Sequence, residues 1–192
     1  YDLAGFAVGV VERDRIVNGS AVKPGDRILG LASSGLHSNG YSLARKVIFE
    51  RLGLRVTDSL PGMGRSIGEE LLAPTRIYVR PILDLLAALP VSAMAHVTGG
   101  GITGNLPRVL PEGSRAVIER GTWPVPTIFE LIRSEGQVTE AEMYRTFNMG
   151  LGFLAVVAAE HTGEAKRRLE ASGERVFEVG EVQAGSRGVE YQ

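Results

Sequence analysis

Apolar and polar positions fall in blocks along the chain, and the sharpest block is Ile28 to Ala32, an apolar run of strand length. It stops at Ser33, Ser34 and Gly35, passes His37, Ser38, Asn39 and Gly40, and gives way at Tyr41 to a helical pattern. Leu43, Val47, Ile48 and Leu52 recur on one helix face, and Gly53 suits the residue after a helix end. The order strand, glycine loop, helix returns in Val91 to Val97, Thr98 to Gly101 and Ile102 to Val109. A third glycine segment, Arg145 to Gly152, leads into the apolar run Phe153 to Ala158, so there the glycines precede a strand.

The remaining blocks complete an alternation of strands and helices. Phe6 to Glu12 is rich in small and β-branched residues, and Asn18-Gly19 follows Ile16-Val17, which predicts a strand leading into a hairpin. Lys23-Pro24-Gly25-Asp26 predicts a turn, and Asp58 to Gly64 a Pro/Gly loop. Ser66 with Glu69 has capping-box spacing, and Pro74 ends that short helix. Ile77 to Leu89 predicts a helix with Leu83, Leu86 and Leu89 toward the core. Ser114 to Glu119 predicts a strand, Thr127 with Glu130 and Thr139 with Glu142 predict two helix starts, and Gly136 ends the first helix. Thr162 to Ser172 reads as a helix closed by Gly173, Val176 to Val182 as the last strand, and 186–192 as a frayed tail. The expectation is one α/β domain over 1–185, with a mixed sheet and no internal repeat.

Composition removes function classes more than it adds them. At 192 residues and 44% hydrophobic content the chain has material for a sizeable core. A net charge of -1 without a basic stripe gives no footprint for nucleic acid or an anionic membrane. No apolar run reaches membrane-span length, so a cytoplasmic protein is expected. The chain has no cysteine, which excludes disulfides, thiolate catalysis and cysteine-ligated metals. It opens on Tyr1 and on sequence that already reads as structured, which suggests part of a longer protein. HExxH and EF-hand patterns are missing from the sequence.

Candidate chemistry therefore concentrates in the glycine segments. Gly35 and Gly40 have P-loop spacing and Ser42 suits the Ser/Thr position, but Tyr41 stands where Lys is required, so a Walker site is rejected. An anion site of another kind survives, because such a loop turns successive N–H groups toward one point. The plain alternative is a tight turn, yet Ser34, His37, Ser38 and Asn39 are more polar side chains than a turn needs. His96, at the end of an apolar strand, either faces a ligand crevice or bonds a nearby carbonyl. Thr98, Gly99, Gly100 and Gly101 carry a backbone-entropy cost that packing alone seldom offsets. Asn148 either serves a compact connection or hydrogen-bonds a substrate amide.

Taken in order, YDLAGF at Tyr1 to Phe6, ASSGLHSNGYSL at Ala32 to Leu43, LLAPTRIYV at Leu71 to Val79, HVTGGGITGNLPRVLP at His96 to Pro111 and MYRTFNMGLG at Met143 to Gly152 resemble the phosphoribosylformylglycinamidine cyclo-ligase family. The resemblance implies the C-terminal half of such an enzyme, a three-layer α/β/α domain with a mixed sheet, partly ferredoxin-like. It implies that the N-terminal half, with the acidic Mg²⁺ ligands, much of the ATP site and the homodimer contact, lies outside this chain, in which no metal ligands are identified. The implied substrate is formylglycinamidine ribonucleotide, cyclised with ATP to aminoimidazole ribonucleotide in purine synthesis. By the same resemblance Ser34, Gly35, Ser38, Asn39, Gly40 and Thr98 to Gly101 contact phosphate or nucleotide. His96 and His37 become proton-transfer or charge-stabilising candidates, and Asn148 orients substrate. Related ATP-dependent proteins, such as formylglycinamidine synthase, selenophosphate synthetase and thiamine phosphate kinase, or a non-catalytic ligand-binding module, are the alternatives.

Overall fold

The computed structural model describes residues 4–60 and 62–192. Half of the YDLAGF segment, Tyr1 to Leu3, and Pro61 of the Asp58 to Gly64 loop lie outside the described residues. The strands are β1 (Arg27–Ala32), β2 (Ala93–His96), β3 (Ser114–Ile118), β4 (Leu151–Val157), β5 (Val176–Ala184) and β6 (Val189–Tyr191). The helices are α1 (Tyr41–Arg45, continued by a π-helical turn over Lys46–Arg51), α2 (Ile67–Leu71), α3 (Val79–Ala88), α4 (Gly101–Asn105), α5 (Thr127–Gly136), α6 (Glu140–Thr146) and α7 (Thr162–Ala171).

Among the described residues the strands form one sheet in the order β2-β4-β1-β5-β3-β6. Every neighbouring pair is antiparallel except β3 and β6, which are parallel, so the sheet is mixed. Both faces are covered, and the period of two along each strand decides which residue goes where. Ile28, Ala95, Leu154 and Val156 pack with Ala44, Ile102, Phe129 and Met143, so α1, α4, α5 and α6 lie on one face. Leu29, Leu31, Ala155 and Val157 pack with Ile82, Leu85, Ala165 and Leu169, so α3 and α7 lie on the other. The result is the three-layer α/β/α arrangement that the resemblance implies.

Local signals hold at several helix ends. Ser66 and Glu69 form a reciprocal capping box at α2. The Thr139 side chain accepts the Glu142 N–H at α6. Gly53 and Gly173 adopt φ +64° and +87° after their helices. Thr127 does not cap α5; Pro126 precedes that helix and gives no side-chain cap.

Three expectations are corrected. Phe6 to Glu12 forms no strand, and Phe6 and Val10 are 95% and 98% exposed, because no described strand lies alongside to accept its ladder. The tail does not fray over its whole length: Val189–Tyr191 pairs in parallel with Ala116 to Ile118, and the Tyr191 ring packs on Tyr144. Leu83 is 58% exposed rather than buried, while Ile82 and Leu85 face the core in its place. Among the described residues no helix is long and apolar enough to cross a membrane.

Candidate functional site

Topology gathers the three glycine segments. Because β4 runs antiparallel to both neighbours, β1 and β2 end where β4 begins, with Ala32 opposite Leu151 and His96 opposite Phe153. The loops after β1 and β2 and the turn before β4 therefore meet at one edge of the sheet. A Cβ placed on Gly99 would sit 3.6 Å from the Asn39 side-chain oxygen, which puts the first two loops side by side. Gly40, at φ +77°, lies against the Phe147 ring so closely that a Cβ there would overlap it.

The loop after β1 is fastened from below. Asn148 is 2% exposed; its amide nitrogen donates to the Gly35 carbonyl at 2.9 Å, and its oxygen accepts from Ser33 Oγ at 3.1 Å and from the Gly150 N–H at 2.8 Å. All three contacts lie within the chain, so Asn148 fastens the loop. Ser34 Oγ donates to the Pro74 carbonyl at 2.6 Å, and the Ser38 and Thr75 hydroxyls meet at 3.2 Å. These contacts bind the loop to Pro74-Thr75-Arg76.

What the loops leave free matters most. Among the described residues the backbone N–H groups of Gly35, Leu36, His37, Ser38, Asn39 and Gly40 donate to no protein acceptor, and neither do those of Gly99 and Gly100. Gly35, Leu36 and His37 are buried. Buried amides without acceptors are costly, which makes this run of them the candidate feature of the site. The β2 loop is itself held open by Asn105, whose amide donates to the carbonyls of Thr98, Gly99 and Gly101 at 3.3, 3.2 and 2.8 Å. Thr98 Oγ1 donates to Asn105 Oδ1 at 3.2 Å, so the threonine side chain is also occupied internally.

The two histidines separate. His37 adopts φ +57° and is 3% exposed. Its Nε2 accepts the Ser34 N–H at 3.1 Å and the Arg76 N–H at 3.5 Å, which leaves the proton of the neutral ring on a buried Nδ1 with no protein partner. Burial, then the nearby His96, pushes its pKa down to about 4. His37 is therefore neutral near pH 7, and its Nε2 anchors the loop. His96 is exposed, 6.5 Å from the His37 ring and stacked on Phe153 at 6.4 Å between centroids. Its side chain points to the α3 face, where it lines a cavity of about 360 Å³ with Tyr78, Met94 and Phe153.

Sequence reasoning missed three supports. Tyr78 is buried and donates its hydroxyl to the Ala32 carbonyl at 2.8 Å, and burial raises its pKa strongly. Gly152 leaves room for that hydroxyl, since a Cβ there would overlap it and approach His37 Cε1. Asn105 is the third, and its place one turn after a triple glycine was the only signal for it.

His37 gives the chain a pH dependence with a definite sign. The folded pKa lies below the ordinary 6.5, so its contribution is complete above pH 6.5 and is lost as pH falls toward about 4. The expected loss is of the order of 2–3 kcal/mol. Urea unfolding at pH 7 and pH 4.5, alongside an NMR titration of the His37 Cε1 proton, measures it. A His37 titrating near 6.5 would show that the ring is not held as described.

The fold defines an α/β domain in which two glycine loops adjoin at one edge of the sheet. The chain belongs to the AIR synthase related protein family, and residues 23–191 match its C-terminal domain. Phosphoribosylformylglycinamidine cyclo-ligase of Citrifermentans bemidjiense is 55% identical over 182 residues, covering 95% of this chain and 52% of that protein. The protein of the same name from Anaeromyxobacter sp. strain Fw109-5 is 56% identical over 187 residues, covering 97% of this chain and 54% of that one. The chain thus spans about half the length of the curated relatives it matches. Thiamine-monophosphate kinase from Stenotrophomonas maltophilia K279a shares the fold, with a TM-score of 0.64 and 16% identity over 95% of this chain and 54% of that structure.

Proposed function

We propose that this chain forms one wall of the active site of a phosphoribosylformylglycinamidine cyclo-ligase. The observation that carries the reading is the pair of adjoining loops, Gly35 to Gly40 and Gly99 to Gly100, whose amides lack protein acceptors. In the reaction, the γ-phosphoryl group of ATP passes to the formyl amide oxygen of formylglycinamidine ribonucleotide. A substrate nitrogen then attacks the activated carbon and loses a proton, and the oxygen departs as phosphate while the imidazole closes. Each step places charge on phosphoryl oxygens, and preorganised backbone donors stabilise such charge at no reorganisation cost. Ser34, Ser38 and Asn39 frame the first loop and Thr98 supports the second. His96, whose ring is exposed, is assigned proton transfer, because the His37 Nε2 already accepts two backbone N–H groups.

The same reading places Mg²⁺ elsewhere. Carboxylates are missing from both loops, and among the described residues no group of three or more His, Cys, Asp or Glu is placed to hold a metal ion. Mg²⁺ ligation, most of the ATP site and any homodimer contact belong, in this proposal, to the part of the cyclo-ligase relatives that this chain does not span. The exposed alternation of Phe6, Val8 and Val10, which precedes the matched residues 23–191, fits a strand that pairs with that part.

An assay tests the proposal. The intact protein supplied with ATP, Mg²⁺ and formylglycinamidine ribonucleotide is expected to yield ADP, phosphate and aminoimidazole ribonucleotide in equal amounts, and the 192-residue chain alone to yield none. No product from the intact protein refutes the reading. Product from the chain alone refutes the placement of the metal site.

A further inference from the structure

A second cavity lies beyond the buried side of the first glycine loop, and the chemistry described above does not use it. It has a volume of about 320 Å³ and is walled by Ser33, Ser34 and Gly35 on one side and by Arg65, Thr127 and Arg175 on others. That volume falls at the lower end of the roughly 300–1,000 Å³ typical of small-molecule sites. It is more room than an inorganic ion needs.

Charge decides what enters. The carboxylate in the wall, Glu70, has a side chain only 8% exposed and is held by Arg65 Nε at 2.6 Å. That contact neutralises Glu70 and fixes the guanidinium plane, leaving the Arg65 Nη groups toward the loop, where one reaches the Ser34 carbonyl at 3.4 Å. Arg175 is uncompensated. Its neighbour Glu174 is taken by Arg76 at 2.7 Å, and among the described residues Arg175 makes no ion pair, its guanidinium lying 5.8 Å from the Phe177 ring centroid. Two guanidinium groups against one carboxylate leave the cavity with a net positive charge. Ser33, Ser34 and Thr127 line the same space, with the two serine hydroxyls donating within the chain and left to accept.

We propose that this cavity is a sugar-phosphate site, in which Arg65 and Arg175 take a phosphate monoester and the hydroxyl-bearing wall takes the sugar. The proposal rests on the cyclo-ligase reading to the extent that the ribose phosphate of the ribonucleotide is its natural occupant. It adds a division of labour, because the monoester then sits apart from the phosphoryl group being transferred. The first glycine loop is the partition, since Ser33, Ser34 and Gly35 line this cavity while Asn39 lies beside Gly99 of the second loop. Guanidinium forks suit a phosphate that must be held unchanged through the reaction, whereas bare amides suit oxygens whose charge changes.

Ribose 5-phosphate is the probe, with binding to the 192-residue chain measured by calorimetry. The wild-type chain is expected to bind it, and ribose without the phosphate not to bind. Arg175→Ala is the informative variant, since Arg175 has no protein partner to strand, and it is expected to weaken binding by about 10- to 100-fold. Arg175→Lys keeps the charge without the fork and is expected to recover part of the loss. In the intact enzyme, Arg175→Ala is expected to raise KM for the ribonucleotide by a similar factor while leaving KM for ATP unchanged. Failure of wild-type binding, an Arg175→Ala chain that binds as well as wild type, or a rise in KM for ATP alone would each overturn the proposal. An intact enzyme that turns over normally with Arg175→Ala refutes this site and leaves the cyclo-ligase reading standing. Binding of ribose 5-phosphate by a protein without cyclo-ligase turnover does the reverse.

Discussion

Gly101→Ala is expected to destabilise the domain by about 4 kcal/mol or more, enough to unfold much of the population at 37 °C. Gly101 sits at φ +58°, where any other L-residue costs about 1–2 kcal/mol. The larger part is steric. A Cβ at this position would overlap the Tyr144 carbonyl oxygen and lie 2.8 Å from that of Phe147. Both atoms are backbone at the end of α6, so no rotamer change relieves the clash, and α4 must move away from α6. Asn105 would move with it and release the carbonyls of Thr98, Gly99 and Gly101. Urea denaturation of the variant measures the effect. A loss below about 1 kcal/mol would mean that α4 and α6 are not in the close contact described.

Gly99→Val, two positions away in the same loop, is expected to behave in the opposite way. Gly99 is outside the left-handed region, and a Cβ there meets only the Asn39 oxygen, at an ordinary 3.6 Å. Nothing in the fold requires glycine at this site, so melting is expected to shift by no more than about 2 °C. In the proposed function the ligand occupies the open space above Gly99. A valine side chain there holds a ligand away from the Gly99 and Gly100 N–H groups, and kcat/KM of the intact enzyme is expected to fall by about 100-fold or more. The two variants separate the reasons for glycine within one triplet: Gly101 lets helices touch, and Gly99 lets a ligand approach.

Much of this site could be read before its geometry was known. Strand, glycine loop and helix were legible at Ile28 to Leu52 and at Val91 to Val109, because apolar periodicity and glycine punctuation are local signals. That the two loops touch was not legible, since it depends on β4 inserting antiparallel between β2 and β1, a non-local pairing. His37 and Asn148 stood out in the sequence, but the partners of their side chains did not. Both side chains are spent on backbone groups far along the chain, Arg76 for His37 and Gly35 for Asn148, and residue type alone does not reveal such partners. Phe6 to Glu12 failed for the converse reason. Its pattern is that of a strand, but a strand forms only where a neighbour exists to receive it.

The central claim is that the loops after β1 and β2 build one ligand site and that bare backbone, in place of side chains, is their working surface. Its most direct test is the steady-state kinetics of Gly99→Val in the intact enzyme, with the melting temperature of the same preparation. The account predicts an unchanged melting temperature with kcat/KM reduced by about 100-fold or more. A variant that melts with the wild type and retains wild-type kcat/KM would contradict it.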